Sequence, residues 1–251
     1  MNGKYALVGG AICAVIAGGV AFWFVQGGAT ALDEKKISVT GASFTPKIEN
    51  ADIVAPKVPR KLVFPDYMQK DARKKVTDNI NKLADAIHAN PEEVSSWLDL
   101  ALQYKVIDDF EGARETWEYL VAAAPKNAVS IYNLGYLYHF SLKDFPKAEE
   151  YFKKAIEIDP VQELYYMALH ELYRYSYKQN TTLAVDTLLA GIKQSPKSIN
   201  LPLALAAYYR DDKKDKVNTL KYFVMARDNA KEAANIQALE MLEKEIKLLQ
   251  K

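Results

Sequence analysis

A chain of 251 residues, 49% hydrophobic and 26% charged, has the composition of an ordinary folded protein with room for one large domain or two small ones. Its formal net charge of +1 offers no global attraction to nucleic acid, so any electrostatic preference has to be local. A single cysteine, Cys13, excludes an intramolecular disulfide, which suits a reducing compartment and equally an exported protein that needs no bridge.

After a short tail at 1–4, the stretch YALVGGAICAVIAGGVAFWFV runs from Tyr5 to Val25 without a charge. As a helix it would span about 30 Å, the hydrocarbon thickness of a bilayer. Tyr5 and Trp23 sit where interfacial aromatics usually lie. The pattern predicts an uncleaved transmembrane signal-anchor over 5–25. A cleaved signal peptide is the alternative, because Ala29 to Ala31 read ATA, although the apolar stretch is longer than a usual signal-peptide core. The very short leader favours an N-in, C-out orientation, which would place the rest of the chain in the periplasm or another extracytoplasmic space. Gly10, Ala14 and Gly18 recur at four-residue spacing and would let two such helices approach closely, a route to a homo-oligomer.

From 26 to 65 no helical period is present, and Pro46, Pro56, Pro59 and Pro65 favour extended backbone. This predicts a flexible tether that holds the following domain away from a bilayer, with Lys57, Arg60 and Lys61 solvated.

From Asp66 onward the pattern is helical, and it repeats. FEGARETWEYLVAAAPKN at 110–127 returns 35 positions later as FPKAEEYFKKAIEIDPVQ at 145–162. Self-alignment gives units at 94–127, 128–162, 163–198 and 199–231, between end helices at 66–91 and 232–251. First helices carry Trp97, Leu100, Ala101 and Tyr104, then Ile131, Leu134, Gly135 and Tyr138; second helices carry Ala113, Trp117 and Leu120, then Ala148, Phe152 and Ala155, and close at Pro125 and Pro160. One helix pair of this size cannot bury its apolar face, whereas a stack of copies can.

The pattern resembles the tetratricopeptide repeat, most strongly between Val94 and Gln162. The third unit keeps Tyr166, Leu169, Tyr173, Ala184, Leu188 and Pro196, but His170 stands where the family keeps a small residue. The fourth keeps Leu205, Ala206, Tyr209, Phe223 and Ala226 without the closing proline. Leu83, Ala86 and Pro91 read as a lone second helix before the first unit, and Ile236, Leu239, Leu242, Ile246 and Leu249 as the stripe of a terminal cap. The resemblance implies an all-α, right-handed helix-turn-helix solenoid whose first helices line its inner surface.

On those helices a second stripe at i, i+4 and i+7 reads Leu98, Leu102, Lys105; Tyr132, Tyr136, His139; Met167, Glu171, Arg174; and Leu203, Ala207, Arg210, with Phe140 and Tyr175 beside it. Its middle is aromatic and its last column is basic or potentially basic. A groove so lined would take a protein or peptide segment carrying bulky apolar groups and at least one acid. The competing reading makes these residues a wet edge, with Arg174 paired to Glu171 one turn away, or covers the rings with the chain's own linker or cap helix. In the family's best-known clamp, lysine and asparagines on the inner helices hold a chaperone's carboxyl end; Leu98 and Leu102 occupy the matching places here and argue against that partner.

His88, His139 and His170 are the only histidines, and none has a second ligand at metal-site spacing. No glycine-rich phosphate loop or nucleophile motif is present, and one basic column on a neutral domain does not suit nucleic acid. The expectation is therefore a non-enzymatic, cofactor-free, membrane-tethered scaffold that assists assembly of an envelope complex. Its rivals are an organelle or cytosol-facing receptor for targeting peptides and a permanent structural subunit of a membrane complex.

Overall fold

The computed structural model describes residues 47–50, 52–179 and 181–250. Among the described residues there are ten α-helices and no strand. In chain order they are α1 (Lys70–Ala89), α2 (Val94–Val106), α3 (Phe110–Ala123), α4 (Ala128–Leu137), α5 (Phe145–Ile158), α6 (Glu163–Glu171), α7 (Leu183–Gln194), α8 (Asn200–Tyr208), α9 (Lys216–Glu232) and α10 (Ile236–Leu249). Three of them continue into a π-helical turn, α4 through Tyr138–Leu142, α6 through Leu172–Ser176 and α8 through Tyr209–Lys213.

The membrane placement expected from the sequence does not hold for this part of the chain. Among the described residues no helix is long and apolar enough to cross a membrane. The longest, α1 at 20 residues, shows why: it buries Val76, Ile80, Ala84 and Ile87 and exposes Lys74, Lys75, Asp78, Lys82 and Asp85. Such helices are built to stack on protein, not to face lipid. The predicted anchor over 5–25, with Cys13 and the small residues Gly10, Ala14 and Gly18, lies outside the described residues.

The turns repeat as faithfully as the helices. Asp108, Lys143, Lys178 and Lys214 each adopt a positive φ in the turn between the two helices of a unit. In three of these turns the next amide reaches back to a first-helix carbonyl, Asp109 to Tyr104, Asp144 to Tyr138 and Asp215 to Tyr209. The closure satisfies carbonyls that the end of a helix leaves unpaired. The aspartate then caps the second helix, its carboxylate accepting from the amides of Gly112, Lys147 and Asn218 respectively.

One core cluster runs from Val76 of α1 to Tyr208 of α8, and Ala128, Ile131, Ala155 and Tyr165 form another beside it. Trp97, Leu100, Tyr104, Trp117, Leu120, Leu134 and Phe152 are all essentially inaccessible, and burying each large side chain contributes about 1.5–3 kcal/mol. The unit-opening aromatics are also tied at their polar ends. Trp97 Nε1 donates to the Pro91 carbonyl at 2.9 Å, and Tyr166 Oη to the Pro160 carbonyl at 2.9 Å.

The described half of the expected tether is not free. Ile48, Val58, Leu62, Phe64 and Met68 pack against the core. At one end the Glu49 and Asn50 amides donate to the Ala123 carbonyl at 2.7 and 3.0 Å, taking up the end of α3. At the other, the Arg60 guanidinium lies 3.2 Å from Asp109 and 2.7 Å from Glu115, near the start of α3. The segment is thus a strap laid along α3. Its prolines rule out a helix, and the partial burial of Ile48, Val58, Leu62 and Phe64 opposes the entropy lost on ordering it.

Candidate functional site

The stripe predicted on the first helices divides into an open part and a closed part. Leu98, Lys105, Tyr132, Tyr136, Phe140, Met167, Glu171 and Leu203 are half-buried, while Leu102 and Tyr175 are exposed at 39% and 44%. His139, Arg174 and Ala207 are buried. The open residues form one face across successive repeats. Lys105 Nζ, on α2, stands 4.3 Å from the centre of the Tyr136 ring on α4. Tyr136 lies 4.4 Å from Phe140 and 6.2 Å from Tyr132, and Tyr132 lies 5.2 Å from Tyr165 on α6. Tyr165, which the sequence stripe omitted, extends the aromatic floor from beneath; it is buried and showed no sign beyond its residue type.

The basic column does not survive as a column. His139 is 1% exposed, its Nε2 2.8 Å from Ser176 Oγ, and burial with help from Lys143 keeps it neutral down to about 4. Arg174 does not pair with Glu171. Its Nε and Nη2 donate to the two carboxylate oxygens of Asp212 at 2.7 and 2.8 Å, and its plane lies 4.7 Å from Tyr175 and 5.6 Å from Tyr208. His139 and Arg174 both fall in π-helical turns. An extra residue in the turn rotates each side chain away from the face that α-helical spacing assigns it. Arg210 pairs with Asp211 at 2.8 Å and lies 3.8 Å from Glu245 of α10. Only Lys105 keeps an uncommitted charge: it makes no ion pair among the described residues, and burial lowers its pKa.

Glu171 is the other uncommitted charge. It is half-buried and makes no hydrogen bond or ion pair among the described residues. Burial pushes its carboxyl pKa up, with Arg174 acting in the opposite sense. The Tyr132 and Tyr136 phenols are raised by burial first and by neighbours that include Glu171.

Beneath this face the units are stapled by charges that α-helical reading leaves in solvent. Glu149 of α5 accepts from Tyr173 Oη at 2.6 Å and from Lys153 and Lys178 at 2.7 Å each. Burial works to raise its carboxyl pKa, but those three donors outweigh it and bring the group to about 2. His170 is enclosed; its Nδ1 donates to the Ala184 carbonyl at 2.9 Å, and burial leaves the ring neutral down to about 4. Among the described residues no cluster of three His, Cys, Asp or Glu side chains could hold a metal ion.

Residues 128–162, which are α4, its π-helical turn and α5, match the tetratricopeptide repeat family. The chain carries a tetratricopeptide repeat. A crystal structure of MamA, itself a tetratricopeptide repeat protein, is similar with a TM-score of 0.50 and 21% identity, over 67% of this chain and 99% of that one. At that identity the likeness concerns the fold alone. No curated protein matches the sequence. The tetratricopeptide repeat supports a protein-interaction scaffold. The matched repeat is also the one that contributes Tyr132, Tyr136 and Phe140, the centre of the open face.

Proposed function

We propose that this chain is a docking scaffold whose first-helix face, from Leu102 and Lys105 through Tyr136 and Phe140 to Tyr175, holds a segment of a partner protein during assembly of a larger complex. The observation that carries the reading is the half-open aromatic row of Tyr132, Tyr136 and Phe140 over a core that is otherwise closed. Large rigid rings contribute contact area at little entropic cost and recur as energetic anchors of interfaces. Lys105, desolvated and without a partner among the described residues, supports the apolar-plus-acid character of the segment. The docked strap is consistent with an open face: among the described residues its hydrogen bonds and ion pairs go to α1, α2, α3 and the loops beside them, and none reaches α4, α6 or α8.

Photo-crosslinking in the native cell, with a reactive residue in place of Tyr136 and a control in place of the exposed Glu150 on α5, tests this reading. A discrete adduct to a segment of another protein at Tyr136 but not at Glu150 is the expected result. Adducts only within this chain, or equal labelling at both positions, would reject it.

A further inference from the structure

We infer that the docked segment presents a basic side chain, lysine or arginine, set among bulky apolar residues, and that it seats this group against Glu171. The inference deepens the docking reading above and rests on it.

Glu171 lies on α6, inside the open face and beside Tyr132 and Tyr136. A carboxylate partly withdrawn from water and without a protein donor gains from any donor that a partner brings to it. The donor available on its own helix, Arg174, is committed by two bonds to Asp212. The other cation of the face, Lys105, sits over the Tyr136 ring and is not within ion-pair distance of Glu171. An incoming ammonium or guanidinium meets the missing partner and, at the same time, aromatic faces that attract cations. The sequence alone pointed to an acidic segment because it counted four bases. The structure removes two of them by burial and ties a third to Asp211 and Glu245. With Lys105 in the first unit, Tyr136 in the second and Glu171 in the third, a segment with a base and an acid binds in one direction along the stack and not in the reverse.

Panning a phage-displayed library of short random peptides on the full chain separates the two levels of the argument. The baits are the wild type, Tyr136→Ala, Glu171→Gln and Glu171→Lys, each checked for an unchanged circular-dichroism melt. The wild type is expected to enrich peptides with lysine or arginine between aromatic or leucine residues. A synthetic copy of the leading peptide, followed by fluorescence anisotropy, is expected to bind Glu171→Gln about tenfold more weakly, the factor for one lost charge-assisted bond. Glu171→Lys should select acidic peptides instead. Peptides that require Tyr136 but show the same charge preference on the wild type and on Glu171→Gln would overturn this inference and leave the docking reading standing. No enrichment above Tyr136→Ala would overturn both.

Discussion

The second and third units differ most where their two helices cross. In the second, Gly135 brings α4 so close to α5 that a Cβ there would lie 2.8 Å from the Phe152 ring. In the third, His170 occupies the equivalent place, donates to the Ala184 carbonyl and meets the edge of Tyr208 at 6.0 Å between centres. One fold thus closes the same crossing with nothing at all or with a polar ring, provided the ring's hydrogen bond is made. The second solution carries a titratable group into the core, and the first does not.

The largest effect expected from breaking this contrast is at Gly135. Gly135→Leu drives a side chain into a fully buried ring and should cost about 3 kcal/mol or prevent folding, read by urea denaturation. The same substitution in the other unit, His170→Leu, replaces a polar ring by an apolar side chain of similar bulk; it leaves the Ala184 carbonyl without its donor and should cost about 1–3 kcal/mol.

Acid should act next on the crossing closed by His170. The folded pKa of His170 is about 4, below its ordinary 6.5, so the unfolded chain binds the extra proton first as pH falls. Stability is therefore whole above about 6.5 and declines between 6.5 and 4, by on the order of 3 kcal/mol from this residue. Arg174 adds to the depression, while the Ala184 hydrogen bond and Asp212 oppose it. His139 follows the same sign over the same window. Melting temperatures across that range should fall less steeply in His170→Leu than in the wild type; parallel slopes would show that His170 is not the titrating group.

The smaller effects distinguish two arginines that look alike in the sequence. Arg174→Met breaks a buried bidentate pair whose carboxylate partner is only partly exposed, and about 2 kcal/mol should be lost. Arg210→Met breaks half-exposed pairs and should change stability by no more than about 0.5–1 kcal/mol. Equal losses in the two variants would mean that burial does not distinguish the pairs.

Much of the solenoid was legible because stacking writes a period into the chain: Trp97 and Leu100, Ile131 and Leu134, Tyr166 and Leu169 all face inward for the same reason. The aromatic part of the open face was legible too, since Tyr132 and Tyr136 lie on regular α-helix where i and i+4 share a side. His139 and Arg174 were misread because they lie in π-helical turns, which no residue pattern announces. The strap was misread because prolines exclude a helix without saying whether an extended chain is free or docked.

The sequence by itself determined that helices would pair and stack from α1 to α10, because each carries an apolar stripe that only another helix can cover. The tertiary structure alone decided which charges remain available. Arg174, Arg210 and Glu149 found partners in the next repeat or on the terminal helix, and Lys105 and Glu171 did not. A charge is free or spent according to what the fold brings within a few ångströms of it, and distances of that kind are not written in any local pattern.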